Sequence, residues 1–208
     1  MTKITERGMI FNGEMVRAIL DGRKTQTRRP YSWKRQPAME MVERDDGSLW
    51  PWAEDCENGG DIWIQCPFGE VGDRIWVRET FGDCGVRLVY RADNDDGAKC
   101  KVERWTPSIH MPRWASRILL EITNVRVERL NSISEEDCWA EGIEAVDGLF
   151  ENTEIIDMAR KIGCCVEDSK PMFALLWQSI YGADSWQANP WVWVIEFKRI
   201  EGDSHATD

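Results

Sequence analysis

Apolar residues at every second position predict several β-strands along this chain. The clearest pattern covers 118–130, where alternation runs through Ile122, breaks, and resumes at Val125 and Val127. Such alternation is typical of a strand with one buried face. Similar patterns predict further strands at 8–11, 61–65, 71–79, 87–90 and 191–200.

Helical spacing and glycine stops predict three helices between these strands. Met15, Ala18 and Ile19 share one face of a helix over 14–21, and Gly22 follows where a helix commonly ends. Beyond Gly22, the segment 24–29 is predicted to be extended. The other two predicted helices cover 134–141 and 173–181 and end at Gly142 and Gly182.

The order of these elements favours an α+β fold in one domain. Strands outnumber helices and do not alternate regularly with them, which favours a small antiparallel or mixed barrel with flanking helices. We expect a single domain over 1–208, with long insertions at about 31–69, 91–112 and 144–170. The first insertion is predicted to be mostly irregular. Long insertions in compact domains more often have a function than none.

A basic segment follows the first predicted helix. It presents four cations and two hydroxyls, from Arg23, Lys24, Thr25, Thr27, Arg28 and Arg29. The whole chain carries a net charge of −11, yet its first 36 residues hold nine Lys and Arg against three Asp and Glu. A basic patch on an acidic body indicates an anion-binding face. The alternative is a solvated helix end.

The chain has twelve tryptophans, and most are expected in the core because large rings dominate burial. Trp114 differs, since it lies between Arg113 and Arg117 in a proline-bounded loop at 107–116. This setting suits stacking against a nucleic-acid base. The alternative is that Trp114 covers the core.

Cysteine and histidine usage gives little indication of a metal or cofactor. The seven cysteines are odd in number and contain no C-x-x-C pair, which argues against a disulfide framework. A zinc site from Cys56, Cys66, Cys84 and Cys100 is the alternative, although their spacing matches no compact zinc knuckle. We therefore expect buried or idle thiols, no metal and no cofactor.

No segment of the sequence has the pattern of a membrane span or a secretion signal. There is no run of about 18 apolar residues, and the first residues lack an apolar signal core. We expect a cytoplasmic protein that does not associate with membranes.

Four motifs in this order resemble the ASCH domain, a PUA-like β-barrel. They are Gly22-Arg-Lys-Thr-Gln-Thr-Arg-Arg29, Gly72-Asp-Arg-Ile-Trp-Val-Arg-Glu79, Ser134-Glu-Glu-Asp-Cys-Trp-Ala-Glu-Gly142 and Val194-Ile-Glu-Phe-Lys198. The resemblance covers about 8–200, and the insertions look like those of larger ASCH proteins from phages and prophages. It implies a mixed barrel with flanking helices and, if phage-encoded, a bacterial host cytoplasm.

One branch of this superfamily is the bacterial acetylcytidine amidohydrolase. Its matching motifs carry a catalytic lysine, threonine and glutamate, and the resemblance places these roles on Lys24, Thr27 and Glu141. A base must take the threonine proton to activate it, and a lysine can do so if burial lowers its pKa. A carboxylate can orient the lysine or pass a proton to the leaving amine. Thr25 remains a competing hydroxyl, because it shares a face with Thr27 in an extended strand.

Several functions remain open from the sequence. The first is a module that binds RNA, single-stranded nucleic acid or a modified nucleotide in a basic cleft. Its binding residues would be Arg23, Thr25, Arg28, Arg29, Glu79, Arg113, Trp114 and Arg117. The others are the amidohydrolase, a metal-independent ribonuclease that uses the same cations, and a factor whose acidic surface contacts a host protein. Glu79 is expected to fix basic side chains near the pocket, or else to form a surface ion pair.

Overall fold

The computed structural model describes residues 4–93, 102–144 and 151–200. The helices are α1 (Gly13–Leu20), α2 (Glu135–Ala140), α3 (Thr153–Ile162) and α4 (Ser169–Tyr181). The strands are β1 (Glu6–Ile10), β2 (Gln26–Pro30), β3 (Glu40–Glu43), β4 (Leu49–Glu54), β5 (Asp61–Trp63), β6 (Arg74–Arg78), β7 (Phe81–Asp83), β8 (Leu88–Tyr90), β9 (Trp105–Thr106), β10 (Leu119–Arg129) and β11 (Trp191–Arg199). Short 3-10 turns lie at Ser108–His110, Arg113–Ala115 and Leu130–Ser132.

The strands form one five-stranded sheet and two three-stranded sheets. The large sheet has the order β1-β6-β10-β11-β2. It is mixed, because β1 and β6 are parallel whereas β6 with β10 and β2 with β11 are antiparallel. The small sheets have the orders β3-β4-β5 and β8-β7-β9. The expected combination of helices and sheets is confirmed, but the described strands pair into open sheets and do not close a barrel.

The chain divides into two compact units. The described residues of the first are 4–23, 67–93, 102–123 and 197–200, and those of the second are 24–66, 124–144 and 151–196. In the first unit, Ile75, Leu120 and Ile122 are fully buried, as their alternation predicts. In the second, α2, α4 and β11 share an apolar core that includes Phe173, Trp177, Trp186, Val192 and Val194.

Local chemistry explains where α1 begins and ends. The Asn12 side chain accepts a hydrogen bond from the Met15 backbone N–H at 2.8 Å, which caps the first turn. At the other end, Gly22 has φ +76°, a left-handed conformation that favours glycine. The Arg23 backbone N–H then donates to the Ala18 carbonyl at 2.9 Å. The predicted helix stop is therefore confirmed, and it fixes where the basic segment begins.

Two regions that read as insertions contain regular structure. The 31–69 insertion holds β3, β4 and β5, whose short strands lack clean alternation, and β4 includes Pro51. The 144–170 insertion holds α3, which Asn152 caps and in which Ile155 and Met158 are buried. The helical spacing of those residues was readable in the sequence. Residues 94–101 of the 91–112 insertion and 145–150 of the last lie outside the described residues.

The Asp73 carboxylate stabilises the segment that leads into β6 in the first unit by accepting three hydrogen bonds. Its Oδ1 accepts a hydrogen bond from the Thr5 backbone N–H at 2.8 Å, and its Oδ2 accepts one from Arg7 at 2.7 Å and one from the Glu70 N–H at 3.3 Å. Burial raises the pKa of Asp73, but these hydrogen bonds outweigh it and hold the pKa below the ordinary 3.8. The native state therefore favours the charged carboxylate.

We expect Asp73→Asn to lower the free energy of unfolding at neutral pH by about 1–3 kcal/mol. An asparagine keeps only one acceptor oxygen, so part of the donor set of Thr5, Arg7 and Glu70 is left without its acceptor. In the parent chain, the contribution of Asp73 is complete above about pH 3.8 and is lost as the pH falls through the depressed native pKa. Urea unfolding at a series of pH values checks both points. A variant with the parent's stability at pH 7 and the parent's acid sensitivity would contradict the assignment.

Candidate functional site

Lys24 and Glu141 meet at an isolated antiparallel bridge in the second unit. The Thr25 backbone N–H donates to the Ala140 carbonyl at 2.9 Å, which holds the basic segment against the end of α2. Ser134 caps the start of α2 by accepting a hydrogen bond from Asp137, and Glu141 is the residue at which the helix ends. The bridge and the Thr25 hydrogen bond therefore place Lys24 beside a carboxylate 117 residues away in the sequence.

The contact between these two residues is direct and desolvated. Lys24 Nζ donates to Glu141 Oε2 at 2.8 Å and to the Glu141 backbone oxygen at 2.8 Å. The Lys24 side chain is 0% exposed and that of Glu141 is 4% exposed. Charged side chains are almost never this buried unless they are paired.

Burial has the largest influence on the pKa of Lys24. It lowers the pKa of the ammonium group, the Glu141 carboxylate partly restores it, and Arg29 and Arg28 lower it further. The resulting pKa lies below the ordinary 10.5. A lysine in this state gives up its proton more readily than a solvated one, which a general base requires.

Arg28 is bound by three carboxylates. Its guanidinium donates to Glu128 Oε1 at 2.6 Å, to Asp137 Oδ2 at 2.7 Å and to Glu141 Oε1 at 3.2 Å. It also lies 5.9 Å from the ring centre of Phe173. Burial lowers the pKa of Arg28, but the carboxylates outweigh it and raise the pKa above its usual value. Arg28 is therefore compensated inside the protein, which leaves little of its charge for a phosphate.

The carboxylates that hold Arg28 belong to a wider network. Asp137 Oδ2 also accepts a hydrogen bond from Arg126 at 2.9 Å, and Arg126 bonds to Glu196 as well. The Gln26 side chain donates to the Asp137 carbonyl at 2.8 Å. Sequence reasoning missed Asp137 and Glu128. Asp137 could have been found, because it lies four residues before Glu141 and so shares its helical face.

The two threonines of the basic segment lie in different surroundings. Thr27 is buried in β2 and is paired with Ile195 of β11, whereas Thr25 is exposed. Within the described part of the chain, neither hydroxyl is hydrogen-bonded to Lys24 or Glu141. The structure thus pairs the lysine with the glutamate, and in this arrangement the hydroxyl is hydrogen-bonded to neither.

The remaining cations of the segment are placed differently from Lys24. Arg23 forms an ion pair with Asp21 at 3.1 Å at the surface. Arg29 is half-buried in β2, opposite Trp193 of β11. The segment therefore does not form one continuous exposed basic patch.

A second ionic cluster lies in the first unit and contains Glu79 and Arg117. The Arg117 guanidinium donates to both Glu79 oxygens at 2.9 and 3.1 Å and to Asp93 at 2.8 and 3.0 Å. It also stacks 4.0 Å from the ring centre of Tyr90. Burial raises the pKa of Glu79, and Arg117 partly offsets this rise. In this arrangement Glu79 fixes a basic side chain.

The loop that carries Trp114 presents an aromatic ring to solvent. Trp114 is 67% exposed, so it does not cover the core. Its neighbour Arg113 donates to Glu6 at 2.9 Å. The ring is free to stack on a ligand, although the adjacent cation already has a carboxylate partner.

The described residues contain no group of three His, Cys, Asp or Glu side chains arranged to hold a metal ion. Cys84 is disulfide-bonded, so the expectation of an idle thiol there was wrong. Cys56 is an exposed thiol and Cys66 a buried one, while Cys100 lies outside the described residues. None of the described helices combines the length and apolar character needed to cross a membrane.

Comparisons with known proteins return one family name. No family profile matches the chain, and no curated protein matches it in sequence. Among solved structures, the chain is similar to the crystal structure of an ASCH domain from Lactobacillus crispatus JV V101. The identity is 13% and the TM-score 0.39, over 94% of this chain and 79% of the other. That solved domain carries the name of the family which the sequence motifs resemble.

Proposed function

We propose that this chain is a hydrolase that removes an acyl group from a modified, cytidine-like nucleoside. The observation that carries the proposal is the buried contact between Lys24 and Glu141. A strongly desolvated lysine with a specific carboxylate partner is typical of a catalytic site. The same proposal includes the finer assignment to a phage-type member of the PUA-like ASCH proteins, which rests on the sequence motifs at 22–29, 72–79, 134–142 and 194–198.

In this proposal Lys24 acts as the general base in its neutral form. Its Nζ takes the proton of the Thr27 hydroxyl, whose oxygen attacks the acyl carbonyl. The resulting ammonium group returns a proton to the leaving amine as the amide C–N bond breaks. Water then cleaves the acyl-threonine ester and releases the free acid. Glu141 orients Lys24 and stabilises its protonated form between these steps.

Turnover of acylated nucleosides tests the proposal directly. We expect the purified chain to release acetate from acetylcytidine, as followed by separation of the nucleoside product. Thr27→Val should reduce the rate about 100-fold or more if the hydroxyl is the nucleophile. Undiminished turnover in that variant would contradict Thr27 as the nucleophile and leave Thr25 or water in that role. No turnover across a panel of acylated nucleosides would contradict the hydrolase proposal.

The exposure of Trp114 favours nucleic-acid binding as a second candidate function. We expect Trp114→Ala to weaken binding of a single-stranded RNA oligonucleotide by about 1–3 kcal/mol, the usual contribution of one stacked base. Fluorescence anisotropy at several salt concentrations measures the affinity. Trp105→Ala, which removes a less exposed ring of the same unit, should leave it unchanged.

Equal affinity of the Trp114 variant and the parent would contradict a stacking role. The same incubation tests ribonuclease activity. RNA that remains intact after prolonged exposure to the chain would contradict that alternative.

A further inference from the structure

The β3-β4-β5 sheet forms one wall of an open cavity of about 790 Å³ in the second unit. Trp52 and Trp63 line it. The two residues are directly paired across β4 and β5, and Trp52 is also paired with Glu40 of β3. Paired residues of neighbouring strands project from the same face. The face therefore presents two indole rings and a carboxylate side by side.

Hydrogen bonds order this wall. Trp52 Nε1 donates to Asp61 Oδ1 at 2.8 Å, which fixes the ring beside a second carboxylate. In the turn between β3 and β4, the Asp46 carboxylate accepts hydrogen bonds from the Ser48 backbone N–H at 2.9 Å and from its hydroxyl at 2.6 Å. The cavity thus has aromatic walls with ordered acidic groups beside them.

Arg44 shows what kind of group Trp63, one of the two lining rings, accepts. Its guanidinium lies 4.8 Å from the ring centre of Trp63 and 4.1 Å from that of Trp50. Both distances are within the range of cation–π attraction, which is strongest for tryptophan. The chain therefore already places one of its own guanidinium groups against the wall of the cavity.

The charge that lines the cavity exceeds what Arg44 can balance. Five carboxylates line it, from Glu40, Glu43, Asp45, Asp46 and Asp61, and Arg44 is the one cation among the lining residues. In the described part of the chain, Glu40, Glu43 and Asp45 make no ion pair. This excess repels phosphates and attracts cations.

We propose that this face is a docking site for an arginine-containing basic segment of a partner protein. Guanidinium groups of the segment stack on Trp52 and Trp63, and the surrounding carboxylates bind them through charge-assisted hydrogen bonds. A planar guanidinium matches both the flat rings and the paired carboxylate oxygens, which a lysine ammonium does not. The site is separate from the Lys24 and Glu141 pair and does not depend on the hydrolase proposal.

Calorimetric titration of the full chain with a nona-arginine peptide at about 150 mM salt tests the site. We expect Trp63→Ala to weaken binding roughly 2- to 30-fold, the effect of losing a cation–π contact of about 0.5–2 kcal/mol. Glu40→Gln combined with Asp61→Asn should weaken it as well, because the new amide oxygen could still accept the Trp52 hydrogen bond while two charges are lost. Arg44→Ala should strengthen binding, because it vacates the ring of Trp63.

Matched variants separate the site from general attraction to an acidic protein. Glu154→Gln combined with Asp157→Asn removes two negative charges from α3, as the double variant of the site does from the cavity. Arg160→Ala removes one arginine from α3, as Arg44→Ala does from the cavity. Both α3 variants should leave the affinity unchanged. Equal losses in the site and α3 variants would overturn the proposal. So would unchanged binding to a folded Trp63→Ala variant, an Arg44→Ala affinity no tighter than that of the parent, or spermine binding as tightly as the peptide.

Discussion

Glu141→Ala is expected to lower the free energy of unfolding by about 3–5 kcal/mol, the usual consequence of breaking a buried ion pair. Glu141 holds Lys24 through Oε2 and Arg28 through Oε1, and both cationic side chains are 0% exposed. Without the carboxylate, Lys24 retains the backbone oxygen at position 141 but no counter-charge. Arg28 keeps Glu128 and Asp137, so the cost falls mainly on Lys24.

Urea unfolding of the parent and two further variants checks this prediction. Glu136→Ala removes an exposed glutamate of the same helix and should change stability by less than about 0.5 kcal/mol. Lys24→Met combined with Glu141→Leu replaces the pair by apolar groups and should recover much of the loss, since replacing both partners is often nearly neutral. A Glu141→Ala variant as stable as Glu136→Ala would contradict the buried pair.

The parts of the fold that the sequence could predict are those that local chemistry decides. Gly22 ends α1 because a left-handed residue is needed there, and β10 alternates because one face is buried. By contrast, β3 and β4 carry little local signal, because β3 is two apolar residues between two glutamates and β4 contains a proline. Their pairing is set by contacts between segments, which alternation alone does not reveal.

The candidate site, like the fold, could be predicted from the sequence only in part. The resemblance to ASCH motifs named Lys24 and Glu141 together, and their contact depends on the bridge between 24 and 141. The partners of Arg28 could not be named from composition, because Glu128 and Asp137 approach it only once β2, β10 and α2 are assembled. A basic motif therefore looked like an exposed phosphate site, although two of its four cations are buried and compensated by carboxylates.

The remaining prediction concerns Lys24 as a base. Lys24→Arg is expected to lower kcat for acetylcytidine hydrolysis by about 100- to 10,000-fold, the usual contribution of general acid–base catalysis. An arginine keeps the positive charge opposite Glu141 but cannot lose its proton in a protein. The substitution therefore removes the base while it retains the counter-charge, and it separates catalysis from stability better than Lys24→Ala does.

The pH dependence gives an independent readout of the same role. Because burial lowers the pKa of Lys24, kcat of the parent should rise as the pH increases through that lowered pKa and level off below the ordinary 10.5. Lys24→Arg should lose this rise together with the rate. Lys198→Met, which removes an exposed lysine, should keep both. A folded Lys24→Arg variant that retains the parent's rate and pH profile would contradict a catalytic role for Lys24 and leave the pair with a structural one.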